Sequence, residues 1–490
     1  MRSNRIFLTV VLGVAAASVP LLAPSAASAA PADAALSAYF DQRLDWQSCD
    51  DGGPAECADV EVPLDYGRPG GKSISIAVSR IKASEPSERH GVLFMNPGGP
   101  GGEGLTLPAM MLEKNVIPDS VSRRFDLIGF DPRGVGRSAP VDCGLTDQEL
   151  SLSGPAYRPE TFEEDVSRAR TVVEKCQGKN SGVLAHITTR NTARDMDVIR
   201  GALGEKKISY LGISYGTYLG AVFTQMFPER ADRFVLDSAM NPGRVWRGVF
   251  QDRAQDTERA FTRWTQWTAQ RHATYGLGDT PDKVRESFWA LFNRPAPNPV
   301  HDFVSGFPTV FYDVDKAAKT IAGLNTADPT NAPASGTPGK PAAGPSAASG
   351  ATGNFYSAYW SVTCADSDSW PRDPEQYSRD AALDKQKNPL FAGSASNINA
   401  CAFWPKATEP TTTVDNTTGA LIVNNEWDSQ TPLVGATGLH KAMKGSRMVT
   451  VHDGVGHGVY GTNPCADHAV NTYLTTGRLP EKNLSCRSTG

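Results

Sequence analysis

Residues 208–219, Ile-Ser-Tyr-Leu-Gly-Ile-Ser-Tyr-Gly-Thr-Tyr-Leu, decide how the rest of the chain is read. Ile208, Tyr210 and Leu211 favour a β-strand, and Tyr218, Leu219, Ala221, Val222 and Phe223 suit a helix, so Ser214 falls on a sharp strand-to-helix turn. Gly212 and Gly216 flank it where such a turn needs residues without a Cβ, both for backbone angles and for close packing of helix on strand. The pentapeptide Gly-Ile-Ser-Tyr-Gly is weak evidence by itself in a chain with 46 glycines. The strand before it and the helix after it make Ser214 a candidate nucleophile.

Upstream, residues 72–81 (KSISIAVSRI) alternate apolar and polar side chains as an antiparallel strand does, whereas 91–95 (GVLFM) and 125–130 (FDLIGF) are continuous apolar runs of the kind buried on both faces. The run at 91–95 ends in Asn96-Pro97-Gly98-Gly99-Pro100-Gly101-Gly102, a loop whose backbone N–H groups can approach a substrate oxygen. No Gly-Lys-Ser/Thr follows, which argues against a phosphate loop. The run at 125–130 leads into Asp131-Pro132-Arg133-Gly134, where an Asp131–Arg133 ion pair is expected to serve as scaffold. Residues 192–203 have helical spacing and 234–236 make a further strand closed by Asp237. Strand and helix alternate from Val92 to Asp237, so a mostly parallel α/β sheet with helices on both faces is predicted.

From about 241 to 411 this rhythm stops. The segment holds seven of the nine tryptophans among helical patterns and reads as a large, mainly helical insertion. Within it, residues 327–353 are Pro, Ala, Gly and Ser with almost no large apolar side chain, and a surface loop is expected there. Strands return at 420–423 (ALIV) and 448–451 (MVTV), each followed by one chemically useful residue: Asp428 after the first and His457 after the second. The expected organisation is therefore 1–29 leader, 30–240 first core part, 241–411 insertion and 412–490 second core part.

A serine hydroxyl becomes a strong nucleophile when a histidine takes its proton, and a carboxylate fixes that histidine's tautomer and stabilises its charged form. Ser214, Asp428 and His457 occur in that chain order, each just beyond a strand. Asp237 is the rival acid, also at a strand end but too soon after the nucleophile, and His452 is a rival base that looks internal to its strand.

The N-terminus carries Arg2 and Arg5, an apolar run over 6–19 and then Ala27-Ser28-Ala29, the layout of a secretory signal peptide cleaved after Ala29. Eight cysteines suit export, and proximity along the chain pairs Cys49 with Cys57, Cys143 with Cys176, Cys364 with Cys401 and Cys465 with Cys486. None has CxxC spacing, so no metal site and no cofactor are expected. A formal charge of -5 without a basic stripe argues against a nucleic-acid partner. No later stretch is apolar enough for a stable membrane association, and a monomer is expected.

Taken together, NPGGPGG at 96–102, DPRGVGRS at 131–138, GISYGTYLG at 212–220, VTCAD at 362–366, WDSQTP at 427–432 and GHG at 456–458 resemble the secreted bacterial tripeptidyl aminopeptidases, relatives of proline iminopeptidases within the α/β-hydrolase fold. The resemblance spans nearly the whole mature chain. It implies a serine exopeptidase that takes short peptides, typically tripeptides, from free N-termini of peptides or proteins, with a lid inserted before the catalytic acid. It also implies oxyanion donors at the Tyr215 N–H and in the Gly98-Gly99 region. Glu103 departs from the small residue such a loop would carry. A secreted carboxylesterase and a proline iminopeptidase are the competing readings on the same triad, and a binding protein on an inactive hydrolase fold is disfavoured because every expected catalytic residue is present. A peptidase acting at free N-termini needs a carboxylate to receive the substrate ammonium. Asp366 is the leading candidate, on the loop beside Cys364, with Asp368 and Glu103 behind it.

Overall fold

A computed structural model describes residues 36–49, 53–146, 149–295, 298, 300, 309–326 and 349–489. The expected leader, 1–29, lies outside the described residues. So does most of the expected loop, but its last residues do not: a helix begins at Ser349 (Ser349–Ala365), so 349–353 are helical.

Ten strands form one sheet: β1 (Gln47–Ser48), β2 (Glu56–Pro63), β3 (Ser73–Ile81), β4 (Gly91–Asn96), β5 (Phe125–Phe130), β6 (Ile208–Ile213), β7 (Ala231–Asp237), β8 (Ala420–Trp427), β9 (Arg447–Val455) and β10 (Leu484–Arg487). They lie in the order β1-β2-β3-β5-β4-β6-β7-β8-β9-β10. The first three strands and the β3–β5 pair are antiparallel, and every pairing from β5 across to β10 is parallel. The apolar runs read as doubly covered strands are so: all six residues of β4 and of β5 are buried.

Side chains alternate across the sheet and sort into two cores. Phe94, Tyr210, Phe234, Leu236 and Ile422 point to one face, with the helices Thr189–Ala202 and Tyr215–Met226 packed over them. Leu93, Met95, Leu211, Val235, Leu421 and Val423 point to the other, against the helix Pro464–Thr476. Between β7 and β8 the chain leaves the sheet and builds the helices Arg247–Ala269, Pro281–Phe292, Val314–Thr326, Ser349–Ala365 and Pro374–Lys387. Part of this insertion has its own aromatic core, in which Phe261 lies 5.5 Å from Trp264, 4.8 Å from Phe288 and 4.7 Å from Phe311 between ring centroids.

The structure joins Cys49–Cys57, Cys143–Cys176, Cys364–Cys401 and Cys465–Cys486. The turn after β5 differs from its reading. Arg133 pairs with Asp195, at 2.6 and 2.7 Å, instead of with Asp131. Asp131 accepts from the backbone N–H groups of Gly104, Leu105 and Arg137, its carboxylate bridging the neighbouring loop and the far side of its own turn. Arg133 also donates to the carbonyls of Pro63, Leu64 and His186, and Tyr66 donates to Asp195.

Both partners of that ion pair are shut off from solvent, with 0% and 1% side-chain exposure, so removing one strands the other's charge in the interior. Arg133→Met is expected to lower unfolding free energy by about 3–5 kcal/mol in chemical denaturation, and Arg133→Met with Asp195→Leu to recover most of the loss.

Candidate active site

Ser214 sits between β6 and the helix Tyr215–Met226 with φ 59° and ψ -123°, a backbone conformation costly for a residue with a side chain. Its surroundings hold it there. Ser214 N–H donates to the Asp237 carbonyl at 2.9 Å, and Thr217 Oγ1 and N–H both donate to the Ser214 carbonyl. A Cβ on Gly212 would stand 2.4 Å from the Gly216 carbonyl oxygen, which is why the turn closes only with glycine there.

The loop after β4 lies directly on this turn. A Cβ on Gly98 would come within 2.4 Å of the Ile213 carbonyl, 2.9 Å of Ser214 Cβ and 3.0 Å of Tyr215 N, and its φ is 92°. Gly98 N–H, however, donates to Asn96 Oδ1 at 3.0 Å. This corrects the reading of Gly98 as an oxyanion donor: its N–H is already engaged. Among the described residues no acceptor is paired with the Gly99 N–H.

Asp428 and His457 meet beyond the carboxyl ends of β8 and β9. His457 Nδ1 lies 3.0 Å from each Asp428 oxygen. Asp428 is fully buried and also accepts from Gln430 N–H (2.8 Å), Thr431 N–H (2.9 Å) and Thr431 Oγ1 (2.9 Å). Burial by itself would push this carboxyl up, but His457 and the two backbone donors hold it below the ordinary carboxylate range. Carboxylate on Nδ1 directs Nε2 outward, the tautomer a general base needs.

The rival acid has another task. Asp237 accepts from Val459 N–H and Tyr460 N–H at 2.9–3.0 Å, and Ser238 Oγ accepts from Gly458 N–H at 2.8 Å. Asn425 Nδ2 donates to the carbonyls of Gly456 and Gly458. These side chains clamp the residues on either side of His457. Burial raises Asp237 to about 6. The rival base, His452, is half exposed and lies beside Ser485 and Glu426, away from Asp428. Sequence reading missed Asn425, Thr431 and Asn424, whose Oδ1 accepts from Ala239 N–H at 2.7 Å. The signal available was Asn-Asn closing an otherwise apolar strand.

The alpha/beta hydrolase fold family matches residues 91–301, and the TAP-like protein family matches residues 388–486. The chain is 37% identical to a tripeptidyl aminopeptidase of Streptomyces lividans over 90% of its own length and 86% of the relative's. It belongs to the tripeptidyl aminopeptidase family of α/β-hydrolases. Two more distant relatives are the serine protease Hip1 of Mycobacterium tuberculosis, 28% identical over 91% of each chain, and carboxylesterase B of the same species, 30% identical over 88% of this chain and 86% of the relative.

In this member of the tripeptidyl aminopeptidase family, Asp366 does not fit the role of ammonium anchor. Its carboxylate is buried and accepts from Thr189 N–H (2.7 Å), Thr189 Oγ1 (2.5 Å) and Trp246 Nε1 (3.3 Å). Thr189 Oγ1 in turn meets the Tyr215 hydroxyl at 2.8 Å, so Asp366 braces the nucleophile helix from behind. A carboxylate that has three internal donors and only 7% exposure is poorly placed to receive a substrate amine. Asp368 and Glu103 are exposed. Burial of its surroundings and the nearby Asp131 raise Glu103 above the usual carboxylate value.

Asp428→Asn is expected to lower kcat by about 10⁴-fold with the fold intact, whereas Asp237→Asn, which loosens the loop without touching Nδ1, should cost far less in steady-state assays. For Asp366, burial raises the folded-state value to about 6 from 3.8, so folding favours the protonated form. The stabilisation this gives is complete below about pH 4 and is lost as pH rises through about 6. Unfolding curves from pH 4 to 8 should therefore show Asp366→Asn gaining on the native protein by up to about 3 kcal/mol between pH 4 and 7, with no further change above.

Proposed function

We propose that this chain is a secreted serine exopeptidase that releases tripeptides from free N-termini through an acyl-enzyme on Ser214. The observation that carries the reading is the pairing of buried Asp428 with the partly exposed His457, in a fold that also holds a strained serine turn under a glycine loop. The 37% identical relative named tripeptidyl aminopeptidase supports the substrate class, and the four disulfides with the leader-like N-terminus support export.

In the proposed cycle, His457 Nε2 takes the Ser214 proton as Oγ attacks the scissile carbonyl. The oxyanion forms against the N–H groups of Tyr215 and Gly99, both backbone donors that need no rearrangement as charge develops. His457 then gives its proton to the departing amine, and the C–N bond breaks to leave a tripeptidyl ester on Ser214. Water, deprotonated by His457, hydrolyses that ester. Asp428 stays ionised throughout and stabilises the imidazolium. The ammonium anchor is assigned to the exposed carboxylates Glu103 and Asp368, of which Glu103 stands at the end of the glycine loop.

The second reading, a carboxylesterase, is favoured by the 30% identical carboxylesterase B relative. A tripeptidyl chromogenic amide with a free amine, the same amide N-acetylated, and a short acyl ester separate the two. The peptidase reading expects the free amide to be cleaved at least tenfold better than the acetylated one, Ser214→Ala to abolish both peptidase and esterase turnover, and Glu103→Gln to raise KM for the free amide alone. Efficient ester hydrolysis with no preference for the free amine would overturn it.

A further inference from the structure

One side chain of the insertion bonds directly to the turn that holds Asp428. Arg253 lies on the helix Arg247–Ala269, and its Nε donates to the Gln430 carbonyl at 3.0 Å. Gln430 is the residue whose N–H donates to Asp428 Oδ1 at 2.8 Å. A single residue of the acid's turn is thus held at both ends, by the acid on its N–H and by the insertion on its carbonyl. Arg253 is half-buried, its guanidinium near the Phe250 ring and within the fields of Asp428, Tyr359 and Tyr312. Removal from water pushes its own value down from the ordinary arginine range.

The other charges around the pair are accounted for. Asp256, three residues further along the same helix, is held by Arg259 at 2.6 Å and by the Tyr312 hydroxyl at 3.1 Å. Asp237 is held by the backbone N–H groups of the histidine loop. Thr431, the other side chain touching both Asp428 and His457, is neutral. Of the groups whose charge bears on Asp428, Arg253 is thus the one that comes from the insertion and also bonds to the acid's own turn.

We infer that Arg253 is a positioning residue for the catalytic pair: it fixes the Asp428 turn by its bond to the Gln430 carbonyl, and its positive charge favours the ionised form of Asp428. The consequence is that a working triad requires the insertion to be seated, since the acid's geometry is completed from the lid side. The inference rests on the triad in the proposed function but not on the tripeptide specificity, because both an ester and an amide must use the same acid and base.

The test is Arg253→Met and Arg253→Lys in the full-length secreted protein, with active sites titrated by an irreversible serine phosphonylating reagent so that kcat refers to folded enzyme. Both the acyl ester and the free tripeptidyl amide are followed from pH 4.5 to 9. The expectation for Arg253→Met is a kcat lower by about tenfold to a hundredfold on both substrates, KM little changed, and the acidic limb of kcat/KM moved up by about half a pH unit or more. Arg253→Lys, which keeps the charge, should restore the limb while recovering only part of kcat. A higher KM for the amide with the limb unmoved would make Arg253 a substrate contact and overturn the inference. A loss that vanishes once active sites are titrated would reduce Arg253 to a stability role and overturn it equally. Failure of the tripeptide reading is seen separately, as a wild-type enzyme that cleaves the ester and not the amide.

Discussion

Asp237 joins the nucleophile to the base. Its main-chain carbonyl takes the Ser214 N–H at 2.9 Å, and its carboxylate takes two N–H groups of the loop that carries His457. The strained turn of β6 and the loop after β9 are therefore referenced to the same residue at the end of β7, the strand between β6 and β8. Ser238 and Asn425 extend the clamp, through Gly458 N–H and the carbonyls of Gly456 and Gly458. A triad needs its members fixed to within a fraction of an ångström, and here short side chains at the ends of β7 and β8 tie the backbone of the His457 loop to the sheet.

Much of this was legible before any coordinates. Apolar runs of six residues buried on both faces have a signature that few alternatives share, and a serine on a strand-to-helix turn followed by an acid and a histidine after later strands is ordered in a way chance rarely produces. What escaped was partnership. Nothing in the sequence says that Arg133 reaches Asp195, 62 residues away, instead of Asp131 beside it, or that Asn96 takes the Gly98 N–H. Asp366 was misread because its position next to a bridged cysteine looked like a rim. The structure places it beneath Tyr215, where Thr189 and Trp246 enclose it.

The insertion divides its loyalties. Phe261, Trp264, Phe288 and Phe311 pack on one another, with Trp427 of β8 at the edge of their cluster, while the helix Ser349–Ala365 lies on the glycine loop so closely that a Cβ on Gly101 would meet the Phe355 carbonyl at 2.5 Å. One part of the insertion has an aromatic core of its own, and the other lies against the glycine loop.

The disulfides fall on either side of a long interval. Cys49–Cys57 and Cys143–Cys176 close before the insertion, and Cys364–Cys401 and Cys465–Cys486 close after its midpoint, so no bridge spans residues 177–363. A single cut in the part of that interval beyond β7, at 238–363, would leave two polypeptides with no covalent link, Ser214 on one and Asp428 and His457 on the other. They would be joined by the β7–β8 pairing in the middle of the sheet and by the helical contacts around it. Such a nicked enzyme would run as one particle in native buffer and as two chains in denaturant without any reductant.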